Sequence, residues 1–147
     1  MLKAQGINSI VVIGNIDNAV GDIIQSNHAW VMAEVASGKY LALETTAGYA
    51  VPKSQNQLYY RGWYFDSPSE IKNYNQLIWE YNTRVDIHNQ IVAEDSKVVE
   101  ELSRATNQNT AEKLEAVHDK LSELIKAEQA EMSRIKSEIG GLATVLL

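Results

Sequence analysis

From Ser69 to Ile139 the chain contains neither glycine nor proline. A stretch of that length, rich in Glu, Lys, Leu, Ile and Ala, has few options besides long helix, because the two residues that most weaken a helix interior are absent. A start signal precedes it: Ser67 can cap, Pro68 takes the first helical position and Glu70 supplies the acid of a capping box. Ile71, Tyr74, Ile78, Tyr81, Val85, His88, Val92, Asp95, Val99 and Leu102 then recur at alternating spacings of three and four. Such a seam predicts a helix packed along another helix. His88 and Asp95 are its polar members, seven residues apart on one face. They read as register-setting positions, since a metal or catalytic pair needs further ligands and none stands out.

The segment Arg104–Thr110 is the break, with Thr110 as the expected cap of the second helix. Leu114, Val117, Leu121 and Leu124 continue the spacing, Glu128 interrupts it, and Met132, Ile135, Ile139 and Leu142 resume in a shifted frame. The expected helices cover about 68–104 and 110–140 and form an antiparallel hairpin, because the loop between them is short. Their narrow seams and charged outer faces lead to the expectation of a homo-oligomer through residues 71–102 and 114–142.

Residues 1–66 are different: β-branched and aromatic runs broken by Gly, Asn and Ser. Residues 1–5 resemble the last turn of a helix, with Gly6 as its C′ residue. Strands are predicted at 8–14, 27–36 and 40–46. Ile10-Val11-Val12-Ile13 is apolar throughout and suits a strand buried on both faces. From His28 to Ala36 the pattern alternates, and Ser37-Gly38-Lys39 supplies a tight turn into Tyr40–Thr45. Asn15–Ser26 reads as a loop. The segment 47–66, with the aromatics Tyr59, Tyr60, Trp63, Tyr64 and Phe65, reads as a linker whose rings cover the sheet. The fold class is therefore α+β: an antiparallel sheet in 1–66 followed by a helical hairpin in 67–147.

Pairing the two hairpin strands about Gly38 brings His28 within reach of Glu44–Thr46. A carboxylate beside an imidazole fixes its tautomer and raises its basicity, an arrangement that cysteine nucleophiles need. The words AQGINSIVVIG, NHAWVMAEV and SGKYLALETTAGY resemble the second half of the transglutaminase-like domain, a papain-like fold, and the continuation through Tyr60-Arg61-Gly62-Trp63 resembles archaeal members of that family. The resemblance covers residues 1–66. It implies that His28 is the general base and that Glu44, in place of the usual Asp, orients it. It also implies a nucleophilic cysteine and oxyanion donors on a helix before Gly6, which would lie upstream of Met1. The 147 residues contain no cysteine.

Composition narrows the function. The net charge is −6, and residues 67–147 carry 9 basic against 14 acidic residues, so no basic stripe for nucleic acid is present. The longest charge-free apolar runs fall short of the ~20 residues a membrane-spanning helix needs. No metal set and no cofactor is expected, and a cytoplasmic location is the default reading. The first expectation is a truncated or vestigial transglutaminase-like domain, inactive as this chain and serving binding or assembly. One alternative is part of a cysteine-dependent amide hydrolase or acyltransferase, acting on a peptide or protein, whose thiol lies upstream or on another chain. The other is a coiled-coil oligomerisation protein with a β head.

Overall fold

The apolar run at Ile10–Ile13 forms the strand β1 (Ser9–Gly14), which lies inside the sheet rather than at its edge. The structure is a computed structural model and describes residues 2–146. The sheet contains β1, β2 (His28–Ala36), β3 (Lys39–Glu44), β4 (Tyr49–Val51), β5 (Gly62–Phe65) and β6 (Thr144–Leu146), in the order β4-β3-β2-β1-β5-β6. Every pairing is antiparallel. The helices are α1 (Pro68–Arg104) and α2 (Gln108–Leu142), packed as a hairpin. The architecture is α+β, as the sequence predicts.

Residues paired across strands point to the same face. Val12 pairs with Trp30 and Tyr64, and Ala42 pairs with Met32 and Val51. That face forms the core of Val12, Trp30, Met32, Ala42, Val51 and Tyr59. A 3-10 turn at Gln57–Tyr60 covers it, held by Asn56, whose side chain accepts the Leu58 N–H. The Tyr60 hydroxyl donates to the Val51 carbonyl at 2.9 Å. On the opposite face Val11 pairs with Val31 and Phe65. There the sheet borders a cavity of about 500 Å3 that Leu2, Pro68 and Ile71 also line. Phe65 packs against Tyr74 with ring centres 5.3 Å apart.

Three strands were not predicted. The segment 47–66, expected as a linker, contributes β4 and β5, and Asn15–Ser26, expected as a loop, contains a 3-10 turn at Ile23–Gln25. Short strands of three or four residues carry too little alternation to be read from sequence. The C-terminal residues, attached by the sequence reading to the helices, pair as β6 with β5. Two compact units result: Met1–Asn75 with Ile139–Leu147, and Gln76–Glu138. Gly6 caps the first turn as expected, with φ of 76° and its N–H on the Lys3 carbonyl, although the turn is 3-10; Met1 and Leu147 lie outside the described residues.

At the start of α1 the capping box forms as expected: a Glu70 carboxylate oxygen accepts the N–H groups of Asp66 and Ser67. The break between helices is shorter than predicted, and Asn107 rather than Thr110 caps α2, accepting from the Asn109 and Thr110 N–H groups. The seam also differs. Leu77, Ile78, Tyr81, Arg84, Val85, His88, Ile91, Asp95, Val98 and Leu102 of α1 are partly covered, and Arg84–Glu128 and Asp95–His118 pair across to α2. The expected members Val92, Val99, Val117 and Leu124 are exposed. Glu128 does not interrupt a frame; it stays in the seam because Arg84 reaches it at 3.1 Å across the hairpin.

Candidate functional site

The register of β2 and β3, with Val31 opposite Leu43, puts His28, Trp30 and Glu44 on one face of the sheet. His28 Nε2 lies 2.5 Å from Glu44 Oε2, so the two residues expected to form a pair do so. Glu44 is 4% exposed, and a carboxylate that buried needs several hydrogen bonds. It has them: the Tyr59 hydroxyl donates to Oε2 at 2.8 Å, and the Thr46 N–H donates to Oε1 at 2.9 Å. The His28 bond is the main cause that lowers the Glu44 carboxyl from its ordinary 4.5 to about 2. Burial opposes that shift, while Tyr59 and Thr46 add to it. Burial, and then the bond to Glu44, pushes the Tyr59 phenol up to about 12. Tyr59 therefore stays a donor and Glu44 stays an acceptor through the neutral range.

Glu44, ionised, can only accept, so the His28 nitrogen facing it, Nε2, must carry a proton. In the neutral imidazole the lone pair is then on Nδ1, which makes no hydrogen bond among the described residues. The side chain is 25% exposed, so this nitrogen is within reach of a molecule outside the sheet. Two aromatic contacts hold the His28 ring, and a third joins the two rings that make them. Trp30 stacks on His28 at 6.1 Å and 21°, Tyr59 meets it edge-on at 6.1 Å, and Trp30 and Tyr59 meet each other at 5.2 Å. Trp30 is 1% exposed and its Nε1 has no partner among the described residues.

Two glycines make room for this cluster. A Cβ on Gly14 would stand 2.8 Å from Trp30 Cη2 and 3.2 Å from the Arg61 carbonyl oxygen. Gly62 has φ of 134°, and a Cβ there would fall 2.3 Å from the Ile13 carbonyl oxygen. The backbone of β5 thus approaches β1 in a way only glycine permits.

The sequence reading missed Tyr59 as a site residue. It counted the ring among those covering the sheet, which Tyr59 does, but not as the donor to Glu44, 15 residues away in sequence. The signal was Asn56, an Asx residue that starts the turn carrying Tyr59. His88 and Asp95, the polar members of the expected seam, do not bond to each other. Asp95 is 2.6 Å from His118 Nδ1, while His88 Nδ1 is buried without a hydrogen-bond partner among the described residues. No cluster of three metal-ligating side chains occurs among the described residues, and no helix among them is long and apolar enough to cross a membrane.

Compared with family models, with curated proteins and with solved structures, the chain matches none.

Proposed function

We propose that this chain is a transglutaminase-like module carrying the base half of a cysteine-type acyl-transfer centre. His28 is the proton acceptor, through Nδ1, and Glu44 with Tyr59 orients the ring. The observation that carries the reading is the Glu44 carboxylate, buried and bonded at once by His28, Tyr59 and the Thr46 N–H. The spacing of the HAW word and of Glu44 supports it.

With no cysteine among its residues, the chain alone performs no amide hydrolysis or transamidation, and it works as a binding and assembly module that forms a homo-oligomer through its helices. A thiol brought by another segment or another chain would give its proton to His28 Nδ1. The thiolate would attack an acyl carbonyl, and the imidazolium would return the proton to the leaving group. The quarter-exposed ring favours this second, activatable reading.

The test is transfer of an acyl group from an activated ester to an added small thiol, in the presence of the pure chain. The expected result is acceleration over buffer that His28→Ala abolishes and Glu44→Gln reduces by about tenfold or more. Equal rates for the wild-type chain and His28→Ala would reject the assignment of His28. Amide hydrolysis by the wild-type chain without added thiol would reject the assembly reading.

A further inference from the structure

The hairpin seam uses one side of α1 and leaves a second seam open. Ile78, Asn82, Val85, Asn89, Val92, Ser96, Val99 and Ser103 also recur at alternating spacings of four and three. Not one of the eight is charged. The positions just off this stripe are a different population, with Asp86, Glu94, Lys97, Glu100, Glu101 and Arg104. The outward side of α2 is also charged along its length, with Glu112, Glu115, Asp119, Lys120, Lys126 and Lys136. The exposed apolar residues of α2, Val117 and Leu124, are separated by Lys120, which sits between them on the same side of that helix.

Ile78 and Val85 at the start of the α1 flank are half-buried, and its C-terminal half is open. Val92 is 39% and Val99 44% exposed, and Trp79, beside Ile78, is 70% exposed. β-branched residues are poor choices for solvated helix positions, since they lose rotamer freedom and gain no packing there. β-branched residues at one position of each heptad suit a helix–helix contact, and an Asn within such a contact fixes its register at a cost in stability. The Ser96 hydroxyl already donates to the Val92 carbonyl and the Ser103 hydroxyl to the Glu100 carbonyl, so the serines need no further partner. The stripe runs for about 38 Å of helix, at 1.5 Å per residue.

We infer that this stripe of α1 docks the same stripe of a second copy, giving a two-fold dimer. The occupant follows from charge and from the amides. A chain of net charge −6, acidic over its helices, repels its own copy on most of its surface, and this flank is where two copies meet without like charges. Asn82 and Asn89 each carry both donors and acceptors, so an amide of the same kind on the partner satisfies them. A two-fold contact supplies such a partner automatically. The inference rests on the assembly reading above and specifies its surface: α1 alone.

Sedimentation equilibrium of the full chain tests it. The wild type is expected to sediment as a dimer of its 16.4 kDa chain. The double variant Val92→Lys with Val99→Lys should lose the dimer and keep its helical circular dichroism, since both positions are exposed in the single chain. Val117→Lys with Leu124→Lys, on the other exposed pair, should leave the dimer intact. Because the chain has no cysteine, N89C gives a clean second readout. Asn89 lies near the middle of the stripe, so the introduced thiol should form an intermolecular disulfide whichever way the helices run, while K120C should not. A monomeric wild type would overturn both the assembly reading and this surface. A dimer that survives the Val92 and Val99 changes would overturn the surface alone.

Discussion

The Tyr59 hydroxyl donates to the same Glu44 oxygen that faces His28, so one buried carboxylate atom joins a turn to two strands of the sheet. Tyr59→Phe removes the donor and keeps the ring. Losing a hydrogen bond to a buried charged group should cost about 2 kcal/mol of stability. The Glu44 pKa should rise from about 2, because Tyr59 is one of the groups that lower it. Denaturant unfolding and carboxyl-carbon NMR titration read the two effects. A variant as stable as the parent, with an unmoved Glu44 titration, would show that the bond is not made.

Glu44 also sets an acid limit. Its folded pKa lies near 2, below the ordinary 4.5, so the native state binds the proton less readily than the unfolded chain does. The stabilisation from its ionised form is complete above about pH 5 and is lost as pH falls through 4.5 toward 2. Glu44→Gln should flatten this part of the stability profile. Melting temperatures between pH 6 and pH 2 for the two proteins decide it: parallel curves would mean that Glu44 is not responsible.

Gly62→Ala puts a methyl group 2.3 Å from the Ile13 carbonyl oxygen at a φ that L residues avoid. The expected loss is about 3 kcal/mol or more. Gly6→Ala meets no atom within 4 Å, so it should cost only the strain of its φ of 76°, about 1 kcal/mol. Chemical denaturation of both variants gives the comparison, and equal losses would contradict the close approach of β5 to β1.

Asp95 and His118 pair across the hairpin in a seam that is otherwise largely apolar. Asp95→Leu or His118→Leu alone leaves a polar group without its partner and should destabilise the protein by about 1 kcal/mol. Replacing both by Leu should be neutral or stabilising, because two apolar side chains pack where two polar ones were. A double-mutant cycle measures this. A double variant weaker than the sum of the singles would mean that the pair contributes through contacts beyond each other.

The two helices and the hairpin strands were legible because their signals are local and long. The glycine- and proline-free run, the capping box at Ser67 and Glu70, and the turn at Gly38 each lie within a few residues of what they determine. His28 and Glu44 were legible as a pair for the same reason, since a hairpin fixes which residues face each other. On α1 the seam was misread at Val92 and Val99, which are as apolar as the partly covered Ile91 and Val98. Spacing alone does not choose between adjacent apolar stripes, and the cross-helix partners Arg84–Glu128 and Asp95–His118 do. Strands β4, β5 and β6 and the donor Tyr59 depend on contacts distant in sequence, which one sequence does not display.

Glu44 accepts a hydrogen bond from the His28 Nε2 proton, which leaves Nδ1 as the nitrogen that can accept one. Nitrogen-15 NMR of the His28 ring, recorded with neutral imidazole, tests this directly. A protonated Nε2 and a bare Nδ1 are expected, with the preference weakened in Glu44→Gln. A proton on Nδ1, or a ring that exchanges evenly between the two forms, would contradict it.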